Sequence, residues 1–301
     1  RRQRQMCIRD RAKEMINFVP GIVPGIGMAM NCFTQKGDKV MIQPPVYHPF
    51  AWVTTRNERT LVTNPLKWEN GMYRMDLDTF REQIKGCKLF ILCNPHNPGG
   101  VVWTEAELRA IADICYDEKV LVFSDEIHAD LTLPPHTHRP FATVSEKARM
   151  NSVTFMSPSK AFNMPGLSAS HALIFNEDLR KRFRIYMDAG ELDMGHVFAF
   201  LSVEAAYSHG TEWLDQCLAY IQGNIDFVDD FLKNHAPKIK AIRPEASYLV
   251  WLDCRELKLS QKDLNEFFVD KAHLALNDGE MFGKEGIGSV SYTHLRAHET
   301  S

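Results

Sequence analysis

An uninterrupted apolar run, Leu89–Cys93, constrains the fold of this chain more than any other stretch. Such a run is typical of a strand that is covered on both faces in a parallel sheet. A helix is predicted next, beginning at a capping box formed by Thr104 and Glu107 and running to Lys119. A second strand follows at Val120–Phe123. Strand, helix and strand at this spacing form a βαβ unit, so the sequence predicts an α/β fold.

Polar residues follow each of these two strands. Asn94–Gly100 is dense in Asn, Pro and Gly, and Ser124–His128 contains carboxylates and a histidine. The carboxyl ends of parallel strands lie at one edge of the sheet, where open α/β proteins bind ligands. Asp125 therefore either pairs with a protonated ring nitrogen of a cofactor or makes a structural salt bridge or helix cap. His128 either hydrogen-bonds the same ligand or fills space.

A lysine follows a third predicted strand, Val153–Met156. Proline and glycine interrupt regular structure after that strand, so Lys160 is predicted to lie on a loop at the strand end. An amine with the hydroxyls of Ser157 and Ser159 beside it suits a Schiff base next to a bound phosphate. The alternative is a surface lysine in a turn.

Two further segments suit a flat, phosphorylated ligand. Gly21 precedes the apolar run Ile26–Phe33, and a helix start offers free N–H groups and a positive dipole end to an anion. Prolines on both sides of Tyr47 would hold its ring for stacking on a flat ligand. A plain helix start and an ordinary loop anchor are the alternatives.

The C-terminal part of the chain predicts a second, smaller domain. Two long helices, over residues 196–209 and 211–234, precede Ala236-Pro237, where we place a boundary. Beyond it the patterns predict a small α+β domain with these elements: strands at 247–252 and 274–276, a helix at 260–271 and a mobile glycine-rich loop at 277–288.

Both ends of the chain fit no periodicity of their neighbours. Residues 1–11 and 291–301 resemble translated sequencing adapters, so we expect them to be non-native tails. The predicted domains are therefore a large domain with its connecting helix over residues 12–235 and a partial small domain over residues 236–290. We expect the chain to be a gene fragment that lacks material at both ends.

Composition narrows the class of protein. The 301 residues are 45% hydrophobic, enough for a large core, and the net charge of −3 argues against a nucleic-acid binder. No apolar run approaches the ~20 residues of a membrane span, and the N-terminus lacks the apolar core of a signal peptide, which predicts a cytoplasmic protein. The seven cysteines are scattered without a CxxC pair, so we expect reduced thiols and neither a disulfide framework nor a metal site.

Seven motifs occur in an order that resembles one enzyme superfamily. They are PGIVPG (20–25), PPVYHPF (44–50), NPHNPGG (94–100), SDEIHAD (124–130), SPSKAFNMPGL (157–167), TEWLD (211–215) and ALNDGEMFG (275–283). Over about residues 16–290 the chain resembles pyridoxal-phosphate enzymes of fold type I, the aspartate-aminotransferase fold. The resemblance is closest to their branch of cystathionine β-lyases (C–S lyases, including the maltose-regulon modulator). It implies a large domain with a mostly parallel seven-stranded sheet flanked by helices, and a smaller α+β domain.

The resemblance also implies roles for single residues around pyridoxal 5'-phosphate. Lys160 is similar to the lysine that forms a Schiff base with the cofactor, and Asp125 to the aspartate that pairs with its pyridine nitrogen. Asn97 is similar to the asparagine that hydrogen-bonds the ring 3-oxygen, and His128 stands where many relatives have a tyrosine in that role. Tyr47 is similar to the aromatic residue that stacks on the ring. The residues implied at the phosphate are Gly21, Ile22, Val23, Ser157 and Ser159.

This chain departs from the family pattern at two arginines. Many aminotransferases have a phosphate-binding arginine eight residues after the lysine, where this chain has Ser168. The cystathionine β-lyase branch commonly lacks that arginine. The family's substrate-carboxylate arginine lies beyond Gly288, where we expect the non-native tail, and Arg296 is not its counterpart. The resemblance further implies a homodimer with the site near its interface.

Three functions stay open. Two are enzymatic reactions of a small amino-acid substrate, and the third is a binding or regulatory role. In each enzymatic case Lys160 removes the Cα proton as a general base. Loss of a thiol from the β-carbon then gives pyruvate and ammonia, the lyase reaction that the branch resemblance favours. Return of the proton at C4′ of the cofactor instead gives the reaction of an aminotransferase. The third possibility is a regulatory or binding protein on the same fold. We expect the complete parent enzyme to be active and this chain to be weakly active or inactive.

Overall fold

A computed structural model describes residues 13–293. The strands are β1 (Ile16–Val19), β2 (Lys39–Ile42), β3 (Thr60–Thr63), β4 (Lys67–Glu69), β5 (Met72–Arg74), β6 (Cys87–Cys93), β7 (Leu121–Asp125), β8 (Ser152–Met156), β9 (Ser170–Leu173), β10 (Lys240–Ile242), β11 (Val250–Asp253), β12 (Asn277–Asp278) and β13 (Ser289–Tyr292). The α-helices are α1 (Ile22–Phe33), α2 (Pro49–Arg56), α3 (Leu77–Gln83), α4 (Glu105–Asp117), α5 (Glu146–Met150), α6 (Glu177–Ala189), α7 (Val197–His209), α8 (Thr211–His235) and α9 (Gln261–Glu266).

The main sheet has seven strands in the order β1-β9-β8-β7-β6-β2-β3. Neighbours from β3 to β8 pair in parallel, and β9 runs antiparallel to both β8 and β1. Successive residues of β6 enter different cores, because Phe90 and Leu92 belong to one buried cluster and Leu89 and Ile91 to another. Both faces of the sheet are therefore covered. The prediction of an α/β fold with a mostly parallel seven-stranded sheet is confirmed.

Helices cover each face of this sheet. Helix α4 contributes Leu108 and Ile111 to one core, and α1 contributes Ile26 to the other. The start of α4 is the predicted capping box, in which the Thr104 hydroxyl accepts a hydrogen bond from the Glu107 N–H at 3.2 Å. The Glu107 carboxylate accepts one from the Thr104 N–H at 2.8 Å in return. This prediction is confirmed, and it fixes where the chain leaves the sheet edge after β6.

A smaller antiparallel sheet has the order β10-β11-β13-β12 and packs with α8 and α9 around a third core cluster. The predicted strand at 274–276 is wrong, because the strand in this region is β12, at Asn277–Asp278. The following glycine-rich segment forms two 3₁₀ turns and buries Phe282. Strand β13 runs to Tyr292, past the expected boundary at residue 290. The division into domains, and the non-native origin of the tails, stay predictions.

Three properties of residues 13–293 bear on the sequence-based expectations. The six cysteines in this range are free thiols. No group of three His, Cys, Asp or Glu side chains in it is arranged to hold a metal ion. In the same range, no helix is both long enough and apolar enough to cross a bilayer.

Candidate active site

The ends of three parallel strands meet at one edge of the main sheet. Cys93 at the end of β6 pairs with Asp125 at the end of β7, and Asp125 pairs with Phe155 in β8. Backbone bonds continue this alignment past the strands, because the Asn94 N–H donates to the Asp125 carbonyl at 2.9 Å and the Glu126 N–H to the Phe155 carbonyl at 2.9 Å. The three polar segments that follow β6, β7 and β8 therefore begin side by side.

A cavity of about 410 Å³ opens at this edge. Seven of the predicted site residues line it: Ile22, Val23, Tyr47, Asn97, Asp125, His128 and Lys160. The other three, Gly21, Ser157 and Ser159, are not among its lining residues. Residues far apart in the sequence thus share one cavity, as a common ligand requires.

Asp125 is the buried carboxylate of the cavity. It is 3% exposed and accepts a hydrogen bond from the Ile127 N–H at 3.1 Å. Burial raises its pKa to about 7; the Ile127 bond and the charge of Lys160 act in the opposite direction, while Glu126 adds to the rise. A carboxylate that is short of donors in a low-dielectric site gains most from a cationic partner.

Two other polar atoms of the cavity lack partners within the described chain. Asn97 Oδ1 and His128 Nδ1 are buried and have no hydrogen bond from residues 13–293. Burial, and after it the charge of Lys160, lowers the pKa of His128 to about 3, so its ring is neutral at neutral pH. Buried polar groups are normally hydrogen-bonded. A ligand that offers a cationic ring nitrogen to Asp125 and polar ring substituents to these atoms fits the site.

The amino end of α1 also faces the cavity. Gly21 precedes the helix with φ +146°, a conformation that favours glycine, and no side chain of the described chain caps this end. The N–H groups of a first helical turn have no partner inside the helix, so they are available to an anion. Ile22 and Val23 supply such groups, whereas Pro24 has none.

The two predicted serine hydroxyls lie beneath the lysine turn. Ser157 Oγ lies 2.8 Å from the Ala169 carbonyl and 2.9 Å from Ser159 Oγ. A hydroxyl has one proton, so Ser157 donates to the carbonyl while Ser159 donates to Ser157 or to a ligand. Lys160 follows on the turn and is half-buried. The bonds hold the turn in place, and contact of these hydroxyls with a phosphate stays a prediction.

Several lining residues were missed from the sequence, among them His48, Tyr248 and Phe282. His48 packs edge-on against Phe282 with ring centroids 5.6 Å apart, and Tyr248 lies 5.9 Å from the His128 ring. His48 adjoins Tyr47 in a predicted motif, so its position could have been inferred. Phe282 lies in the motif ALNDGEMFG, so its position could also have been inferred. Tyr248 reaches the cavity through contact between distant segments, for which the sequence carries no local signal.

Comparison with known proteins places this geometry in a family. The family model for class I and II aminotransferases matches residues 4–299. Cystathionine beta-lyase PatB of Bacillus subtilis is 40% identical over 277 residues, which are 91% of this chain and 72% of the relative.

Two solved structures are similar along almost the whole chain. Cystalysin from Treponema denticola, whose structure contains a pyridoxal 5'-phosphate cofactor, matches with a TM-score of 0.92 at 35% identity, over 96% of this chain and 73% of that one. The pyridoxal-phosphate-bound C–S lyase of Staphylococcus hominis matches with a TM-score of 0.86 at 32% identity, over 95% and 73%. The predicted resemblance to the cystathionine β-lyase branch is confirmed, and the chain belongs to the class I and II aminotransferase family.

Proposed function

We propose that this protein is a pyridoxal-phosphate-dependent carbon–sulfur β-lyase. Its substrate is cystathionine or a related cysteine S-conjugate, which it cleaves to a thiol, pyruvate and ammonia. The observation that carries the proposal is the single cavity that unites the Lys160 amine, the buried Asp125 carboxylate and the unpartnered Asn97 amide oxygen. The relatives named as cystathionine β-lyase and C–S lyase support the lyase reaction over amino transfer.

Residues of the cavity lining and of the adjoining turns would divide the binding of the cofactor among them. Asp125 would pair with the ring nitrogen, Asn97 and His128 with polar ring substituents, and Tyr47 with the face of the ring. Ile22 and Val23 of the lining are proposed for the phosphate, together with three residues outside the lining, Gly21, Ser157 and Ser159. Ser157 donates its proton to the Ala169 carbonyl, so Ser159 is the hydroxyl free to donate. When bound, the cofactor supplies an electron sink for the negative charge that develops at the substrate Cα.

Lys160 is the general base of the proposed reaction. Its charge is near enough to lower the pKa values of both Asp125 and His128, so the amine lies beside the group that would hold the ring. As a free amine, Lys160 takes the proton from Cα and holds it while the C–S bond breaks. Asp125 keeps a positive charge in place at the ring nitrogen, and the neutral His128 ring adds no competing charge.

Pyruvate release from cystathionine by the complete parent enzyme, measured without a keto-acid acceptor, tests the proposed reaction. The Lys160→Ala variant should lose activity by about 10²–10⁴-fold, the usual contribution of a positioned general base. Lys181→Ala, which removes an exposed lysine of α6, is the matched control and should keep wild-type activity. Amino transfer that needs an added acceptor and yields no pyruvate would identify an aminotransferase instead. Pyridoxal-phosphate absorbance unchanged by Lys160→Ala, with neither activity, would favour a binding protein.

A homodimer is the proposed assembly. Helix α7 is rich in apolar residues, and its Val197 and Phe198 are 61% and 67% exposed in the single chain. A helix of this composition is normally buried, which supports coverage by a second copy. Sedimentation as a monomer at micromolar concentration would contradict this assembly. The cytoplasmic location and the absence of nucleic-acid partners stay predictions from the sequence.

A further inference from the structure

A second buried carboxylate, Glu126, follows Asp125 directly at the end of β7. Its side chain is 0% exposed and has three hydrogen-bond partners. Its Oε1 accepts from the Ser124 hydroxyl at 2.9 Å and from the Phe141 N–H at 2.8 Å. Its Oε2 lies 2.9 Å from Nε2 of the buried His138. The proposed mechanism gives this group no role, although burying a carboxylate is costly.

Glu126 and Asp125 leave the strand on opposite sides. Side chains alternate along a strand, so Ser124 and Glu126 share one face and Asp125 takes the other. Among residues 13–293, the cavity lining includes Asp125 but not Glu126. Glu126 therefore does not contact a ligand in the cavity and would act on it from behind Asp125.

The partners of Glu126 join the end of β7 to residues 138–141, here called the crossing segment. His138 and Phe141 of this segment contact Glu126, and Asn94 Nδ2 donates to the Arg139 carbonyl at 3.1 Å. Glu126 also donates its backbone N–H to β8. The peptide that carries the Asp125 side chain is thus held from both neighbouring strands and from the crossing segment.

The negative charge of Glu126 has an effect of its own, in addition to fixing the end of β7. A negative charge behind Asp125 makes the Asp125 carboxylate hold a proton or a cation more firmly. Consistent with this, Glu126 raises the pKa of Asp125, after burial as the main cause. Within residues 13–293, the titratable groups that interact with Asp125 are Glu126, Lys160, and the Cys93 thiol and Tyr47 phenol of the cavity lining. His138 faces Glu126 on the other side of the strand.

We propose that Glu126 is a positioning residue for Asp125, which fixes the end of β7 and adds negative charge behind the carboxylate, so that a cation on the cavity side is held more tightly. The inference rests on the proposed function only in naming that cation as the ring nitrogen of the cofactor. The placement of the two carboxylates is independent of any reaction.

The first test uses cofactor-free protein. Glu126→Gln keeps the shape and the acceptor for Ser124 and Phe141 but removes the charge. With ¹³C-labelled aspartate, the NMR titration midpoint of Asp125 should fall by about one unit relative to the wild type. Asp76→Asn, which alters a helix-cap carboxylate bonded to Thr79, is the control and should leave the midpoint unchanged. An unchanged midpoint in folded Glu126→Gln would overturn the inference.

The second test uses added pyridoxal phosphate. Glu126→Gln should bind it about tenfold more weakly and shift the pH midpoint of its absorbance downward, whereas Ser124→Ala, which keeps the charge, should change both less. Equal effects of the two variants would reduce Glu126 to a structural role and contradict the inference. If the wild type does not bind the cofactor, the proposed function fails while the cofactor-free titration still decides the inference.

Ser124→Ala covers the case in which Glu126→Gln does not fold. It removes the hydrogen bond from Ser124 to Glu126 and keeps the charge. It should therefore bind pyridoxal phosphate more weakly than the wild type and the Asp76→Asn control, because the end of β7 is less firmly fixed. Unchanged binding in folded Ser124→Ala would contradict the inference.

Discussion

At the scale of the residue, adjacent acidic side chains at the end of β7 have opposite surroundings. Glu126 is satisfied by side-chain and backbone donors, whereas Asp125 accepts a bond from the Ile127 N–H and otherwise faces the cavity. A buried carboxylate without sufficient donors is costly in the ligand-free protein. Asp125 thus shares the cavity with the buried Asn97 Oδ1 and His128 Nδ1, which have no partner in residues 13–293, and a ligand bound there could satisfy all three.

The cost of burying the ionised Asp125 carboxylate predicts how the stability of the cofactor-free protein depends on pH. Burial raises the pKa of Asp125 to about 7, whereas an aspartate in an unfolded chain titrates near about 3.9. Between these values the folded state keeps a proton that the unfolded chain has released. The stabilisation is complete below about pH 4 and is lost as the pH rises to about 7, by at most about 1.4 kcal/mol per unit.

Urea unfolding of the wild type and of Asp125→Asn across this range measures the contribution. The variant has no proton to lose at this position, so its free energy of unfolding should fall less steeply between about pH 4 and pH 7. Comparing slopes removes the contribution of groups that both proteins share. Parallel slopes would show that Asp125 titrates normally in the folded chain.

The positions of the main site residues follow from local sequence signals. Asn97 and Lys160 come shortly after buried strands and Asp125 ends one, and parallel strands bring their carboxyl ends to one edge. Tyr248 does not carry such a signal, because it belongs to another sheet region and reaches His128 through tertiary contact. Local patterns therefore predicted the cavity residues at the edge of the main sheet but not Tyr248.

At the scale of the element, a close approach positions the start of α1. A Cβ on Gly25 would lie 2.9 Å from Val19 Cγ2 and 3.2 Å from Phe155 Cε1. The glycine lets the helix lie against β1 and β8, with its amino end at the cavity. An alanine there should push the helix away from the sheet.

Gly25→Ala is therefore expected to lower the free energy of unfolding by about 1–3 kcal/mol and to weaken pyridoxal-phosphate binding. Gly223→Ala in α8 is the matched control, because no atom of residues 13–293 lies within 4 Å of its added Cβ. That variant should gain about 0.5–1 kcal/mol from reduced backbone entropy and bind the cofactor normally. Chemical unfolding and cofactor titration of both variants check this, and a stabilised Gly25→Ala would refute the close approach.

Secondary structure was predicted correctly at α4, where several local signals agreed. It was missed at one hairpin and wrong at one short strand. The capping box of Thr104 fixed the start of α4. The hairpin of β4 and β5 was missed although Asn70-Gly71 stands between its strands, with φ of +51° and +79°. That dipeptide is the strongest short hairpin signal. The wrong strand at 274–276 came from apolar residues that the structure leaves exposed, among them Leu274.

At the scale of the whole molecule, the C-terminal part is held against the turn that follows β6. The Gly100 carbonyl accepts from the N–H groups of Glu245 and Ala246 at 2.9 and 3.0 Å. The Ser247 N–H donates to the Leu131 carbonyl at 2.9 Å. These bonds bring Tyr248 to the cavity. The site therefore depends on the contact between the two sheet regions as well as on the edge of the main sheet.

Gly100 makes this contact possible and gives the means to test it. A Cβ there would lie 2.4 Å from Pro244 Cβ and 2.7 Å from Pro244 Cα, and the residue has φ +67°. Gly86 at the amino end of β6 has φ +77°, and an added Cβ there would have no atom of the described residues within 4 Å. Gly86→Ala therefore measures the cost of the backbone conformation alone. That cost should be about 1–2 kcal/mol, without loss of cofactor affinity.

Gly100→Ala should lose about 3 kcal/mol or more, because the clash with Pro244 adds to the backbone cost. It should also bind pyridoxal phosphate more weakly, since the segment that carries Tyr248 must move away from the turn. Chemical unfolding and cofactor titration of both variants separate the two effects. Equal losses of unfolding free energy in Gly86→Ala and Gly100→Ala would mean that the C-terminal part adapts freely. The position of Tyr248 in the cavity would then not depend on this contact.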